Sequence, residues 1–537
     1  MRSILVPKLK TLLVLSILIF LCNLVLKSVF IASIPPILTN DEAYYATEAQ
    51  AIIASGSDVS GTWHPWQLAP ANPLYSELTG TLYIPGFLLF PHHTQIAMKV
   101  VPILFGSLLP IVLGLIVYKF FKRKVFFVTT ALIATCNPWI FQFSRMSFDS
   151  FPGIFFYFLG IVGILYLKGW KVLLACIPFF LGFYQYQGYK PLLVPLVLLT
   201  VVCVMWKENG GDLRRSLMKY VPHLMLLGVC CALVGIYSIR LPHLLSSSRI
   251  GEFAINTAAL GQTVTTNRRV SFANPFTLFF ENKPFTLINE LKRRFVASFD
   301  LAWLFEHRND TVDTFAVTAF GFLYEIDFLL ILYVISQLPL QKNWRLLLCF
   351  FGGLIVFGTL ANVLKDEQLW LTFRGGFTII GFVLVASIGF GLILQLKKKF
   401  VSLALIGCYA LFVGSFFYQY FFRYPLLATK DFFFYNRVVA NYIERQPNRP
   451  IVIFTQTPKI LFDDILAYNH LITQQTLPAL HIAYQQQKFG LNMIQLQEGC
   501  FDPRLVATES GTTVLVDYRV SPCPSSNPLA TASAKPV

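Results

Sequence analysis

Asp41 and Glu42 are adjacent carboxylates in the run Asn40-Asp41-Glu42-Ala43-Tyr44-Tyr45, just beyond the first long apolar stretch. A carboxylate that a substrate can reach can act as a general base and take a proton from an attacking hydroxyl. A blander role is open too: Asp41, or equally Asn40, can cap the helix that starts there. Three further groupings carry charge where apolar stretches end. Ser144-Arg145-Met146-Ser147-Phe148-Asp149 sets a cation and an anion four residues apart. On a helix the two share a face and can pair; alternatively the planar arginine fork is aimed at a phosphate, with Asp149 as its acidic neighbour. Lys190 lies in Tyr184-Gln185-Tyr186-Gln187-Gly188-Tyr189-Lys190-Pro191, at the end of an apolar stretch. A charge deep in a bilayer costs about 2.5–3.5 kcal/mol even on lenient scales, so Lys190 either snorkels to the surface or faces a cavity. Arg374 follows Lys365-Asp366-Glu367 and opens a late apolar stretch, as an interfacial anchor or as a phosphate contact. His64, His92 and His93 form no strong metal pattern. No cofactor is required by the sequence, and a divalent metal bound by Asp41 or Glu42 stays open.

The elements that must position these groups are membrane spans. Of the 537 residues 55% are hydrophobic and only 13% are charged, about half the charged share of an ordinary soluble domain. A spanning helix needs about 20 mostly apolar residues. Eleven stretches qualify: 10–32, 96–118, 125–143, 151–167, 172–188, 190–206, 220–244, 316–337, 344–363, 373–395 and 400–422. The formal charge of +16 invites a nucleic-acid reading, but its distribution argues against one. Lys and Arg gather at alternate helix ends: Lys8 and Lys10; Lys119, Lys122, Arg123 and Lys124; Lys168 and Lys171; Lys207, Arg214, Arg215 and Lys219; Lys342 and Arg345; Lys397, Lys398 and Lys399. That is the positive-inside pattern. It predicts a multi-pass cell-membrane protein with a cytoplasmic N-terminus, an extracytoplasmic C-terminus and Asp41-Glu42 on the outer side. The first apolar run is too long for a signal-peptide core and lacks a small-residue cleavage site, which predicts a retained anchor.

The fold class that follows is mostly α, with about eleven transmembrane helices in residues 1–423 and a small extracytoplasmic α/β domain in 424–537. Two outer loops, about 33–95 and 245–315, interrupt the first part. In the first loop a helix is expected from Asp41 to about Ser55, lying flat in the interface, with Trp63, Trp66, Tyr75 and Tyr83 as interfacial belt residues. The second carries Arg249, Arg268, Arg269, Lys283, Lys292, Arg293, Arg294 and Arg308, either as a solvated face or to meet anionic phosphate or lipid headgroups. In the tail, 438–443 and 460–471 read as helices, and 450–454 and 513–517 as strands. Eight cysteines (Cys22, Cys136, Cys176, Cys203, Cys230, Cys231, Cys349 and Cys408) lie in apolar segments and read as core residues. Cys500 and Cys523, in the exported tail, are free to pair there.

Taken together, these residues resemble the polyprenyl-phosphate-sugar glycosyltransferases of the GT-C superfamily, and within it the branch of protein O-mannosyltransferases and the lipid A aminoarabinose transferase. The resemblance rests on Asp41-Glu42 after the first span, Asn72-Pro73-Leu74-Tyr75 in the same loop, the Ser144–Asp149 run and Arg374 opening a late span. It covers about residues 1–420. It implies a GT-C fold, with Asp41 as catalytic base, Glu42 supporting it or contacting the acceptor, and Asp149 as a second important acid. Arg145, Lys190 and Arg374 match basic positions near the lipid phosphate. Where the family often has a tyrosine after the late arginine, this chain has Gly375-Gly376. The implied partners are a lipid-linked sugar donor, with undecaprenyl phosphate as carrier, and an acceptor hydroxyl on protein, lipid or polysaccharide. Such a donor needs no nucleotide pocket, and no glycine-rich nucleotide loop occurs. One base and direct displacement imply inversion at the sugar carbon, whereas a retaining route needs a second carboxylate, for which Asp149 is the nominee.

Two other classes fit parts of the sequence. A transporter or flippase carries charges within its spans, and Lys27 and Asp327 are such charges. A membrane scaffold that binds through its tail is the third class.

Overall fold

In lipid a helix satisfies its own backbone donors and acceptors, and the near-uniform apolar runs of this chain become helices accordingly. The computed structural model of the protein describes residues 2–68, 75–208, 217–244, 257–272, 274–306, 316–317, 320–340, 343–364, 371–396, 398–429, 432–501 and 512–516. Among them, seven helices are long and apolar enough to cross a membrane: Lys10–Ser28, within the first helix α1 (Arg2–Ser28), Thr94–Phe121, Gln187–Glu208, Val221–Arg240, Trp344–Val363, Gly376–Leu394 and Lys399–Leu427. Each lies on an expected span. The other four expected spans fall on shorter helices. Lys124–Cys136 stops at Asn137-Pro138, where the Asn137 side chain accepts the Ile140 N–H at 3.0 Å and starts a new helix, Pro138–Phe143. Ser150–Tyr166 and Gly169–Gln185 are apolar but short. The stretch 316–337 becomes helical only at Glu325.

The residues separate into two units. The first comprises Met1–Phe30, Asn72–Leu78 and Pro102–Leu427, and its helices run between two chemically different ends. At one end the basic residues converge. Lys119 donates to the Leu165 carbonyl, Lys207 Nζ to the Lys119 carbonyl at 2.5 Å, and Arg123 to Gln395 Oε1. Lys219 pairs with Glu208 at 2.7 Å. These are the C-terminal ends of the helices Thr94–Phe121, Ser150–Tyr166, Gln187–Glu208 and Gly376–Leu394. The last three begin beside Asp149, at Tyr189-Lys190 and beside Arg374. A rise of 1.5 Å per residue separates the two ends of Ser150–Tyr166 by about 25 Å.

The second unit comprises Ile31–Ala71, Thr79–Val101 and Ala428–Val537. Its four strands are β1 (Ile451–Thr455), β2 (Gly490–Leu491), β3 (Ile494–Glu498) and β4 (Thr513–Val516), in the order β2-β3-β1-β4. β1 runs parallel to both neighbours, with Ile451 opposite Ile494 and Thr513. The helices Phe434–Glu444 and Pro458–Tyr468 and the strands β1 and β4 match the expected elements, while Leu477–Gln486, β2 and β3 were not foreseen. Eight cysteines are free and Cys500 is disulfide-bonded; Cys523 lies outside the described residues. Cys22, Cys231 and Cys408 sit on outward faces of apolar helices rather than in the core.

This unit is not confined to the tail. Helix α2 (Asn40–Ser55) has small residues, Ala43, Ala46 and Ala49, all fully buried. They allow close approach to Pro458–Tyr468, where Thr47 Oγ1 and Gln50 Nε2 each donate at 3.4 Å to the carbonyls of Asp463 and Ala467. Ala51 and Val59 join one apolar cluster with Ile451, Ile453 and Phe462. The expected interface-lying helix is therefore a core helix. Trp63 and Tyr83 are buried here, not belt residues, whereas Trp66 is exposed.

Glu48 of α2 is buried as well, and the Val59 N–H donates to its Oε2 at 3.3 Å. Burial, then the nearby Asp58 charge, push its carboxyl up to about 8 from an ordinary 4.5. A carboxyl whose folded pKa is raised stabilises the fold only while it carries its proton, so that contribution is complete below pH 4.5 and is lost as pH rises through 8. Thermal unfolding in detergent should show stability falling across that window with a slope approaching about 1.4 kcal/mol per pH unit, and Glu48→Gln should flatten it. An unchanged slope in Glu48→Gln would contradict the assignment.

Candidate functional site

The first turn of α2 is built by Thr39, not by Asn40 or Asp41. Thr39 is extended (φ −74°, ψ 167°); its Oγ1 accepts the Glu42 N–H at 3.4 Å, and Glu42 Oε2 accepts the Thr39 N–H at 2.9 Å. This reciprocal pair is a capping box. The other oxygen of Glu42, Oε1, pairs with Lys99 Nζ at 2.5 Å, and both side chains are 0% exposed. Glu42 thus has one oxygen on the cap and one on a buried cation, which does not fit a metal ligand or an acceptor contact. Among the described residues no cluster of three or more His, Cys, Asp or Glu is placed to hold a metal. Asp41, one residue earlier and about 100° around the helix, is half-buried. The partial positive charge at a helix N-terminus favours negative charge in the first turn.

The segment leading into α2 is held from several sides. Gln95 Nε2 donates to the Pro35 carbonyl at 2.7 Å, Arg437 donates to the Pro36 carbonyl and to Gln95 Oε1, both at 2.9 Å, and the Leu38 N–H donates to the Tyr468 hydroxyl at 2.9 Å. The position of Asp41 is therefore set by residues about 400 positions away in sequence (Arg437 and Pro36 are 401 apart). None of Lys99, Gln95, Arg437 or Tyr468 was singled out from the sequence. A lysine inside an apolar run was the one available signal, for Lys99.

In the first unit, Ser144–Asp149 forms a turn rather than a helix, so the four-residue spacing does not place Arg145 and Asp149 on one helical face. Arg145 is fully buried. Its Nε donates to the Tyr420 hydroxyl at 3.1 Å, and its two terminal nitrogens donate to the carbonyls of Lys27 (2.6 Å) and Val29 (2.7 Å) at the end of α1. A guanidinium directed at the last carbonyls of a helix is a clamp. Lys190 does not reach solvent: its Nζ meets both oxygens of Glu77, at 2.6 and 2.8 Å, and lies 3.9 Å from the centre of the Tyr237 ring. Glu77, unnoticed in the sequence, is its counter-ion.

The chain positions beside Asp149 and Arg374 meet near Tyr189, whose phenol donates to the carbonyl of Phe373, the residue before Arg374. Phe148 and Phe373, the neighbours of the two charged residues, meet edge to face at 4.7 Å. At Gly376 a side chain would be crowded: a Cβ there would lie 2.3 Å from Ile154 Cδ1 and 2.9 Å from Trp139 and from the Tyr189 hydroxyl. Asp41 and Glu42 belong to one unit and Asp149, Arg145, Lys190 and Arg374 to the other. Residues 72–74 and 365–367 lie outside the described residues.

No protein-family model and no curated protein matches the chain. A solved structure with some likeness to it is the crystal structure of ArnT from Cupriavidus metallidurans bound to undecaprenyl phosphate, at 12% identity over 92% of this chain and 90% of that one, with a TM-score of 0.44. A likeness of that size carries no argument about this chain.

Removing one member of a buried ion pair leaves the other charge uncompensated, at a cost of about 3–5 kcal/mol. Chemical denaturation in detergent should show Lys99→Met losing that much, and Lys99→Met/Glu42→Gln losing clearly less. Strictly additive losses would mean that the two groups are not coupled.

Proposed function

We propose that the protein is a membrane glycosyltransferase that moves a sugar from a polyprenyl phosphate, with undecaprenyl phosphate as carrier, to an acceptor hydroxyl on the outer face of the cell membrane. The observation that carries this reading is the position of Asp41, half-buried in the first turn of a helix whose N-terminus favours negative charge and next to Glu42, whose oxygens close the cap and meet Lys99. Asp41 is the general base that takes the proton of the acceptor hydroxyl. Displacement at the sugar carbon is direct and the configuration inverts. The leaving group is a phosphate, whose charge preorganised donors can stabilise, and Arg374, with Tyr189 and Asp149 beside it, is assigned that task. Arg145 and Lys190 are assigned structural roles, because their donors face α1 carbonyls and Glu77.

Support for the orientation comes from the first unit. Its converging basic helix ends suit a cytoplasmic face, which leaves the Asp149, Tyr189 and Arg374 end toward the outer leaflet. The charges that favoured a transporter have local explanations. Asp327 falls in the first turn of Glu325–Gln337, where its Oδ2 accepts the Tyr324 N–H at 3.0 Å, and Lys27 donates to the Gly106 carbonyl.

A positioned base contributes about 10²–10⁴-fold, or about 3–5 kcal/mol of barrier. Asp41→Asn, folded normally by size exclusion and thermal unfolding, should lose about that factor in a transfer assay with radiolabelled polyprenyl-phosphate sugars. Undiminished transfer would remove Asp41 from the mechanism. Absence of transfer in the wild type across several donors would favour a transporter.

A further inference from the structure

The stretch from 257 to 305 forms four helices: Thr257–Val270, Pro275–Phe280, Lys283–Ala297 and Leu301–Phe305. The second and third of them contain no buried residue at all. Their apolar side chains nevertheless include several large ones. Phe272 is 94% exposed, and Phe276 and Phe279 are 68% exposed each. In Lys283–Ala297 the residues Phe285, Ile288, Leu291 and Phe295 recur at helical spacing; Lys292, seven residues after Phe285, lies at the edge of the same stripe, and Arg293 lies away from it. An apolar stripe left largely without cover, with Ile288 and Phe295 exposed and basic residues bordering it, is the pattern of a helix lying in a membrane interface. None of these four helices is among the described helices long and apolar enough to cross the membrane.

Charge identifies the lipid. Within 257–305 there are six basic residues against three acidic ones. Glu290 is already engaged by Arg293 at 2.6 Å and Arg294 at 2.8 Å, and Glu281 accepts from Asn267 at 2.9 Å. Arg268, Arg269, Lys283 and Lys292 are exposed around the phenylalanines. Basic residues on a loop expected outside run against the orientation rule, and an interfacial position gives them a purpose, since each basic side chain near an anionic leaflet adds attraction.

We propose that residues 257–305 form an interfacial platform that seats Phe272, Phe276 and Phe279 among acyl chains and holds anionic phospholipid headgroups with Arg268, Arg269 and Lys292. The occupant is the bilayer in which the protein sits, not a soluble partner. This inference is independent of the transfer reaction.

The test uses full-length protein with a nitroxide attached through an unnatural amino acid at position 276, 279 or 292. The labelled proteins are reconstituted in vesicles of phosphatidylcholine, with or without phosphatidylglycerol. Collision with oxygen and with a water-soluble nickel chelate reports depth. Labels at 276 and 279 should favour oxygen over nickel by several-fold more than the label at 292, at a depth of about 5–10 Å below the headgroup boundary. Phosphatidylglycerol should deepen them, and Arg268→Gln/Arg269→Gln/Lys292→Gln should abolish that response. Nickel access at 276 equal to that at 292 would mean a wet face and overturn the proposal. So would protection at 276 from both reagents, which would mean a protein cover. A depth indifferent to phosphatidylglycerol in the wild type would overturn the choice of anionic lipid.

Discussion

The ion pair between Glu42 and Lys99 is the constraint on which the candidate chemistry depends. A carboxylate and an ammonium with no exposure to solvent are tolerated only when paired and hydrogen-bonded, and here one carboxylate oxygen takes the cation while the other closes the helix cap. That leaves no rotational latitude in the first turn of α2. Asp41 sits one residue earlier in that turn, and one residue of offset turns the two side chains about 100° apart.

Elsewhere the molecule treats buried charge in the same way. Arg145 closes the end of α1, Lys190 lies against Glu77 and Tyr237, and Lys27 meets a backbone carbonyl. Each is a cation in an apolar bundle whose partner is a fixed protein group. Further cations gather at one end of the first unit, where Lys119 donates to the Leu165 carbonyl and Lys207 to the Lys119 carbonyl. The opposite helix starts carry Asp149, Tyr189 and Arg374. A bundle polarised in this manner separates a basic face from a mixed acid, phenol and guanidinium face by roughly one helix length, about 25 Å.

Periodicity and composition made the spans legible, because lipid demands long apolar helices and little else in the sequence imitates them. The helix at 40–55 and the strands at 451–455 and 513–516 were legible from their local periodicity and residue types. What covers α2 was not. Its alanines read equally well against lipid or against protein, and the covering residues, Pro458–Tyr468, lie some 400 positions downstream. Partners of charge were the least legible of all. Arg145 with Asp149, four apart, suggested a helical pair, but Asn137-Pro138 restarts the helix and leaves 144–149 as a turn. Lys190 reads as a lysine that snorkels or faces a cavity until Glu77, from a distant loop, is seen against it. Local spacing reports contacts only where the local structure is regular.

The account turns on Glu42 being structural and Asp41 chemical, and the charge-neutral double variant Glu42→Gln/Lys99→Met separates the two. The decisive quantity is its rate of sugar transfer per folded molecule, with polyprenyl-phosphate sugar as donor. A rate within about one order of magnitude of the wild type, equivalent to about 1.4 kcal/mol of barrier, is predicted. A loss of the size produced by removing a general base, about 10²–10⁴-fold, would show that Glu42 takes part in the chemistry and would contradict the account.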